Sequence, residues 1–130
     1  MPASELTRLS ECPTALQVRI DADADLRIVT IGDEEFRWCR PRTEGMPVDW
    51  READPVGAGF RFEGSAANTD AVSIAKSLGL CFSVQDWLIV EADAPVFLEV
   101  NAQGQWLFLN DAESILSGPL ATLLLRNQAK

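Results

Sequence analysis

Short apolar or alternating segments, separated by turn residues, limit what this sequence can fold into. Six of them have strand-like lengths: residues 16–20, 26–31, 35–39, 81–90, 96–100 and 105–109. Strands in globular proteins are usually about three to ten residues long, whereas a membrane-spanning helix needs about 20 apolar residues. The segments therefore predict a β-sheet, and they predict that the chain does not enter a membrane.

A helical pattern interrupts the strand segments over residues 66–79. The apolar residues that recur at helical spacing are Val72, Ala75 and Leu78. Either Asn68 or Thr69 can cap the start of this helix, and Gly79 can end it, because these residue types favour those positions. The pattern predicts a helix that packs on the sheet through its apolar face.

A second, shorter helix is predicted over residues 120–127, because Pro119 fits the first turn of a helix. The order of strands, helix, strands and helix predicts an α+β fold with a mainly antiparallel sheet and helices on one face. At 130 residues the chain is expected to form a single domain, 1–130. Within it we expect a weakly structured N-terminal segment, 1–15, and a long loop rich in proline and glycine, 41–59.

Composition excludes several classes of function. The net charge of −9 argues against binding to nucleic acid, because acidic groups repel phosphate backbones. The sequence has no histidine, which excludes zinc sites built on histidine and Ser–His or Cys–His catalytic pairs. The three cysteines are far apart, and no apolar signal segment begins the sequence. These features argue against a disulfide framework and predict a cytoplasmic protein.

The most informative polar residues lie on the hairpin predicted for residues 82–101. Glu99 and Asn101 share one face of their strand, because side chains alternate. A two-residue turn would place Asp86 opposite Glu99, and a four-residue loop would place it opposite Asn101. In both registers Asp86 and Glu99 are direct or diagonal neighbours in an otherwise apolar strand pair.

Two interpretations of these carboxylates are open. Like charges that face each other destabilise a sheet, and a divalent cation would remove that repulsion. Two carboxylates and an amide oxygen suit Mg²⁺, which prefers hard oxygen ligands. Alternatively, Asp86 and Glu99 lie at a solvated strand end, each paired with an arginine.

Several motifs, in the same order along the chain, resemble one family. Residues 97–101 (Phe-Leu-Glu-Val-Asn) and 104–107 (Gly-Gln-Trp-Leu) are similar to the C-terminal metal motif of the ATP-grasp superfamily. The likeness is greatest to the ligases that macrocyclise microviridin-type ribosomal peptides. Further similar segments are residues 16–20, 25–33 and 49–51. The resemblance covers residues 12–126 and corresponds to the C-terminal subdomain of these peptide maturases.

The resemblance implies a site for ATP and Mg²⁺ or Mn²⁺. The implied metal ligands are Asp86, Glu99 and Asn101. Arg27 would be the catalytic residue that contacts the phosphates or an acyl phosphate, and Gln17 and Arg19 would line the adenine side. The implied reaction activates a carboxylate as an acyl phosphate and then forms an amide or ester bond. Metal ions and arginine offset the charge that accompanies phosphoryl transfer.

The sequence also departs from this family. It resembles only the second of the two subdomains between which an ATP-grasp site closes. The first normally supplies lysines, and here no lysine precedes Lys76. Val18, Ala102 and Asn110 replace residues that are common in the family. We therefore expect a partial or degenerate ligase domain that is inactive alone. A homodimer would form, or a partner chain would supply the missing ATP-grasp half, and the expected substrate is a peptide. The alternative is a catalytically inactive ATP-grasp-like module for binding or dimerisation.

Overall fold

The structure is a computed structural model of the chain. It describes residues 17–47, 49–54, 56–57, 59–90 and 94–128. The segment 1–15, for which weak structure is predicted, lies outside these ranges.

Five strands and three helices make up the described part of the chain. In sequence order they are β1 (Ala24–Ile31), β2 (Glu34–Pro41), α1 (Trp50–Ala53), β3 (Arg61–Ala67), α2 (Asp70–Ser77), β4 (Phe82–Val90), β5 (Ala94–Asn101) and α3 (Ala112–Gln128). The strands form one antiparallel sheet in the order β3-β2-β1-β4-β5. The predicted α+β class, with an antiparallel sheet, is confirmed.

The sheet contains one strand that the sequence pattern did not predict. Almost every side chain of β3 is exposed, so the strand carries no alternating apolar pattern. It lies at the edge of the sheet, where backbone pairing with β2 holds it in place. The predicted helix over 66–79 therefore begins later, at Asp70.

Two predicted strands have no counterpart in the described residues. Residues 17–20 have no regular secondary structure, and residues 105–109 contain turns and no strand. In the second segment the backbone N–H of Leu109 donates to the carbonyl of Trp106 at 3.0 Å, and both side chains pack in one core cluster. A short apolar run shows that its residues are buried, but it does not show whether a strand or a turn buries them.

The last helix is longer than predicted. α3 begins at Ala112, and Pro119 lies inside it. Buried Ala112 and Leu116 anchor its N-terminal half on the sheet, and this packing outweighs the hydrogen bond that a proline removes. Neither α3 nor another helix in the described ranges has the length and apolar character needed to cross a membrane.

The helix α2 begins at the predicted cap. The Thr69 hydroxyl accepts a hydrogen bond from the Val72 backbone N–H at 3.3 Å and donates one to buried Glu35 at 2.5 Å. The face that packs on the sheet consists of Ala71, Val72 and Ala75. Leu78 is 57% exposed, so the prediction that it packs on the sheet is wrong. It is the C-cap residue, where the helical spacing ends.

The two long helices lie on opposite faces of the sheet, and not on one face as expected. Leu26 and Ile28 of β1 belong to a cluster with Ala71 of α2. Val29 and Ile31 belong to a second cluster with residues of α3. Because side chains alternate along β1, these clusters are on different faces of the sheet. We call the face that carries the second cluster the α3 face. Asp25 and Arg27 lie on it as well, toward the end that α3 does not cover.

Thr69 offers a test of how α2 is attached. Thr69→Ala removes both the helix cap and the bond to Glu35, and should lower the free energy of unfolding by about 1–2 kcal/mol. Ser73→Ala, an exposed change in the same helix, should alter it by less than about 0.5 kcal/mol. Urea unfolding of both variants measures the difference, and equal losses would contradict the role given to Thr69.

Candidate functional site

Three charged residues lie side by side across the α3 face. Arg27 of β1 is opposite Asp86 of β4, and Asp86 is opposite Glu99 of β5. Of the two registers left open by the sequence, this is the one that pairs the carboxylates directly. A β-bulge between the pairs made by Asp86 and Trp87 sets this register, since Trp87 pairs with Phe97.

Arg27 is a buried residue, although it was expected to contact phosphates. Its side chain is only 5% exposed. One Nη donates to Asp86 Oδ1 at 2.5 Å, and the other donates to the carbonyl of Gln105 at 2.7 Å. The guanidinium carbon lies 5.3 Å from the centre of the Phe108 ring. Its Nε is buried and has no hydrogen-bond partner among the described residues. Within this structure Arg27 is therefore the buried cation that pairs with Asp86.

The Asp86 carboxyl is in a mixed electrostatic environment. Burial raises the pKa of Asp86 above its ordinary value, Arg27 opposes that shift, and Glu99 adds to it. The Asp86 side chain remains 18% exposed, and Glu99 is exposed. The arrangement therefore combines the two interpretations: Asp86 is paired with an arginine, but it is also close to a second carboxylate.

Asn101 completes the predicted ligand set. Its Nδ2 donates to Glu99 Oε1 at 3.0 Å, so the structure brings Asp86, Glu99 and Asn101 together. All three offer oxygen atoms of the type that Mg²⁺ prefers, so the donor set fits this ion. No group of three or more Asp, Glu, His or Cys residues suited to a metal occurs within the described ranges. An ion held here would therefore take its other ligands from water or from a bound molecule.

A groove runs over Asp86 and Glu99 and consists of two adjoining cavities. The first has a volume of about 280 Å³ and is lined by charged and aromatic residues that include Asp25, Trp50, Asp86 and Glu99. The second has a volume of about 540 Å³ and is lined mainly by apolar residues that include Val18, Ile20, Leu88 and Phe97. Gln17, Arg42 and Leu98 line both cavities, and Arg19 lines the second. The predicted residues Gln17 and Arg19 therefore lie on the groove, toward its apolar end.

A chain of buried charges, missed by the sequence prediction, borders the groove. Asp25 accepts two hydrogen bonds from Arg42, at 2.5 Å and 3.1 Å, and its Oδ2 lies 3.5 Å from Arg40 Nη1. The Nε of Arg40 lies 3.6 Å from Asp54 Oδ2. The sequence places Asp25 in a run of acidic residues that is typical of a solvated turn. In the structure β1 begins at Ala24, so Asp25 lies within the strand. Asp25 and Arg27 are two residues apart and therefore share a face of β1, and this spacing was the signal that could have located Asp25 on the sheet.

Phe108 covers Arg27, and the loop that follows β2 packs on Phe108 through its own aromatic rings. Trp50 stacks on Phe108 at 5.4 Å and meets Phe60 edge-on at 5.2 Å. Asp54 accepts a hydrogen bond from the Gly59 N–H at 2.7 Å, which closes the loop. Gly57 touches Phe108 so closely that a Cβ there would lie 2.2 Å from the ring.

Known structures share this fold. The chain is similar to an ATP-grasp ligase from Chryseobacterium gregarium that is associated with ribosomally synthesised peptides, solved with ADP and with a leader and core peptide. The TM-score is 0.79 at 21% identity, over 95% of this chain and 39% of that one. A second similar structure is the ATP-grasp ligase PsnB, complexed with a phosphomimetic variant of a minimal precursor, Mg and ADP. Its TM-score is 0.58 at 20% identity, over 95% of this chain and 42% of that one.

A third similar structure is the macrocyclase MdnC from Microcystis aeruginosa MRC, bound with the precursor peptide MdnA. Its TM-score is 0.57 at 18% identity, over 82% of this chain and 34% of that one. The sequence matches no protein-family model and no curated protein. The fold is thus that of part of an ATP-grasp ligase, and the chain spans between 34% and 42% of the length of the three chains it resembles.

The contact between Gly57 and Phe108 can be tested against a matched glycine. Gly57 and Gly45 both have a positive φ, of 71° and 82°, so alanine causes similar backbone strain at either position. Only at Gly57 would the new Cβ meet a ring, since nothing lies within 4 Å at Gly45. Gly57→Ala should therefore lower the free energy of unfolding by about 1–3 kcal/mol more than Gly45→Ala. Equal losses in urea unfolding would contradict the packing of Phe108 on this loop.

The pairing of Arg27 with Asp86 predicts a pH-dependent loss of stability. Arg27→Met leaves a largely buried carboxylate without its cation, which should cost about 3 kcal/mol at neutral pH. Burial already raises the pKa of Asp86, and removal of Arg27 raises it further. The native state then takes up a proton more readily than the unfolded chain, so the loss should shrink as the pH falls through the folded pKa of Asp86.

The loss is measured by urea unfolding of the Arg27→Met variant and of the unsubstituted chain, each at about pH 7 and at about pH 5. At each pH the difference between their free energies of unfolding is the loss of stability. The double variant Arg27→Met/Asp86→Asn serves as the control, because it has no carboxyl at position 86 to titrate. A loss of stability that is the same at both pH values would contradict this account of the pair.

Proposed function

We propose that this chain binds the phosphates and the divalent cation of ATP, as one part of a ligase that activates carboxylates. The observation that supports this most is the groove, whose apolar end adjoins a charged end with Asp86 and Glu99 paired across two strands. A nucleotide has the same division, with an apolar base at one end and charged phosphates at the other. The fold, shared with ligases solved with ADP, agrees with this assignment.

The apolar end of the groove would hold the adenine. Gln17 lies where the two cavities meet, and Arg19 lies on the apolar cavity. Amide and guanidinium groups beside an apolar wall can donate to ring nitrogens while the wall covers the face of the base. This is the arrangement of most ligand pockets, in which a few polar groups orient a largely apolar ligand.

Asp86, Glu99 and Asn101 would hold Mg²⁺ or Mn²⁺. Their oxygen atoms suit either ion, and an ion bound with phosphate would offset the charge of the transferring phosphoryl group. Arg27 would supply a fixed positive charge next to this ion site, because it is paired with Asp86. Because both of its Nη groups already donate hydrogen bonds, Arg27 would contact a phosphate directly only by giving up Asp86 or the Gln105 carbonyl.

The proposed reaction begins when a carboxylate oxygen attacks the γ-phosphorus of ATP. An acyl phosphate forms and ADP leaves. An amine or a hydroxyl then attacks the acyl carbon and displaces phosphate. The product is an amide or an ester. A peptide is the proposed source of the carboxylate, because similar ligases have been solved with precursor peptides. The rest of the site would come from a partner chain, from a second copy of this one, or from further residues of the same protein.

A second candidate function is a binding or dimerisation module without catalysis. One observation favours it: Arg27 already neutralises Asp86, so the site does not need a metal to be stable. In addition, Lys76 is the one lysine in the described ranges, and it pairs with Asp33 at 2.6 Å at the opposite end of β1. In this case the groove would retain the shape of a nucleotide site but bind no cation.

The two candidates differ in their response to metal. A site with millimolar affinity should add about 1.4 kcal/mol of stability at ten times its Kd, which raises the Tm of a domain this size by a few degrees. Glu99→Gln should lose this shift, while Glu113→Gln, an exposed change on α3, should keep it. Melting curves with and without Mg²⁺ or Mn²⁺ measure the effect. If the unsubstituted chain melts at the same temperature in both conditions, the metal site is refuted and the non-catalytic module is favoured.

A further inference from the structure

The outer face of α3, which points away from the sheet, carries exposed apolar side chains. Leu124 and Leu125 are 63% and 67% exposed. No charged residue occurs between Glu113 and Arg126, although 24% of the whole chain is charged. A helix face in contact with water usually carries charged residues, and an exposed apolar face marks an interaction surface. From this face we infer that two copies of the chain form a dimer in which their α3 helices pack antiparallel about a two-fold axis.

The exposed residues of this face form one stripe along the helix. Positions three, four or seven residues apart share a helix face, and the exposed set with this spacing is Ser114, Ser117, Gly118, Ala121, Leu124 and Leu125. We call this set the outer stripe. Its middle consists of small residues, and a Cβ at Gly118 would have no neighbour within 4 Å. Small side chains let two helix axes approach to about 8 Å, so the middle of the stripe has room for a second helix.

The polar side chains of α3 do not oppose burial of the outer stripe. The hydroxyl of Ser114 donates to a backbone carbonyl of the preceding turn at 2.9 Å, and that of Thr122 donates to another at 3.0 Å. The hydroxyl of Ser117 donates to a carbonyl of the same helix as well. A hydroxyl that is hydrogen-bonded within its own helix costs little to bury, whereas an unsatisfied one is expensive. The stripe can therefore be covered without loss of these hydrogen bonds.

The shape of the surface indicates that its occupant is a second copy of the same chain. A cavity of about 570 Å³ lies beside the N-terminal half of the stripe and is lined by residues that include Leu107, Ser114 and Ser117. Leu124 lies two helical turns after Ser117 and therefore on the same side of the helix. In an antiparallel pair centred on the midpoint of residues 114–125, Leu124 of each copy is level with this cavity of the other. Each copy thus offers one leucine and one cavity, which is the self-complementarity that a two-fold interface requires.

The charges at the two ends of the stripe favour the antiparallel arrangement. Glu113 precedes the stripe, Arg126 follows it, and both are exposed. In an antiparallel pair, Glu113 of each copy is level with Arg126 of the other. A parallel pair would instead place like charges level with each other, and it would align the two helix dipoles unfavourably.

The interface is separate from the groove. No residue of the outer stripe and no residue that lines its cavity also lines either cavity of the groove. The inference therefore does not depend on the proposed nucleotide function. The segment 114–125 is only about 18 Å long, so the pair buries less than the roughly 1,200 Å² of a standard interface. We therefore expect a reversible dimer.

The experiment is sedimentation velocity of the full chain from about 10 μM to about 1 mM, which should show an equilibrium between monomer and dimer. Ala121→Arg and Leu124→Asp should each raise the Kd of the dimer by roughly tenfold or more, because each brings an unpaired charge into the helix contact. The matched controls are Ala66→Arg on edge strand β3 and Val56→Asp in the loop after α1, both at exposed positions outside the stripe. They should dimerise like the unsubstituted chain.

The antiparallel arrangement is tested by charge reversal. Glu113→Lys places a cation level with Arg126 of the second copy and should raise the Kd by about two- to tenfold, since exposed charges interact modestly. The double variant Glu113→Lys/Arg126→Glu restores opposite charges at each end and should return the Kd toward that of the unsubstituted chain. A double variant that dimerises no better than Glu113→Lys alone would overturn the antiparallel arrangement.

The remaining outcomes separate this inference from the proposed function. A chain that stays monomeric over the whole range refutes the inference, and so does a dimer that both stripe variants retain. Larger assemblies also refute it, because a two-fold interface closes at two copies. Melting curves show which variants are folded, and if one stripe variant is not, the other decides. A dimer that melts at the same temperature with and without Mg²⁺ or Mn²⁺ supports the inference while the metal site is refuted.

Discussion

Arg27 and Asp86 face each other across β1 and β4, two adjacent strands in the middle of the sheet. Their side chains meet at 2.5 Å, and the Phe108 ring packs over the Arg27 guanidinium. A largely buried carboxylate is costly without a cation, so this contact favours the observed register between the two strands. The same register places Glu99 opposite Asp86. The positions of Asp86 and Glu99 relative to Arg27 thus depend on Arg27 and Asp86 remaining opposite each other.

The pair also explains why the loop after β2 packs where it does. The Arg27 guanidinium lies against Phe108, which in turn stacks on Trp50. Arg40 attaches the same loop through Asp54. Two kinds of contact, aromatic stacking over Arg27 and an ion pair to Arg40, therefore hold one wall of the charged cavity. α3 covers the other end of the face through Ala112 and Leu116.

The distribution of charge across the groove is more specific than its total. The chain carries a net charge of −9, which by itself disfavours phosphate ligands. Locally, Arg42 and Arg27 offset the carboxylates of Asp25 and Asp86, and Glu99 remains exposed. A site of this kind would attract a phosphate together with its cation more readily than a phosphate alone. Its proposed preference for a metal–nucleotide complex follows from this balance.

Local sequence determined the hairpin of β4 and β5, the helix α2 with its cap at Thr69, and the set Asp86, Glu99 and Asn101, because alternation, helical spacing and capping act over a few residues. It did not determine β3, whose exposed side chains carry no pattern, or the N-terminal half of α3, which depends on packing against the sheet. It also left the register of the hairpin open, and a β-bulge next to Asp86 decided it. Only the tertiary structure buried Arg27 and joined Asp25 to Arg40 and Arg42, because those contacts depend on which strands are neighbours and which loop folds over them.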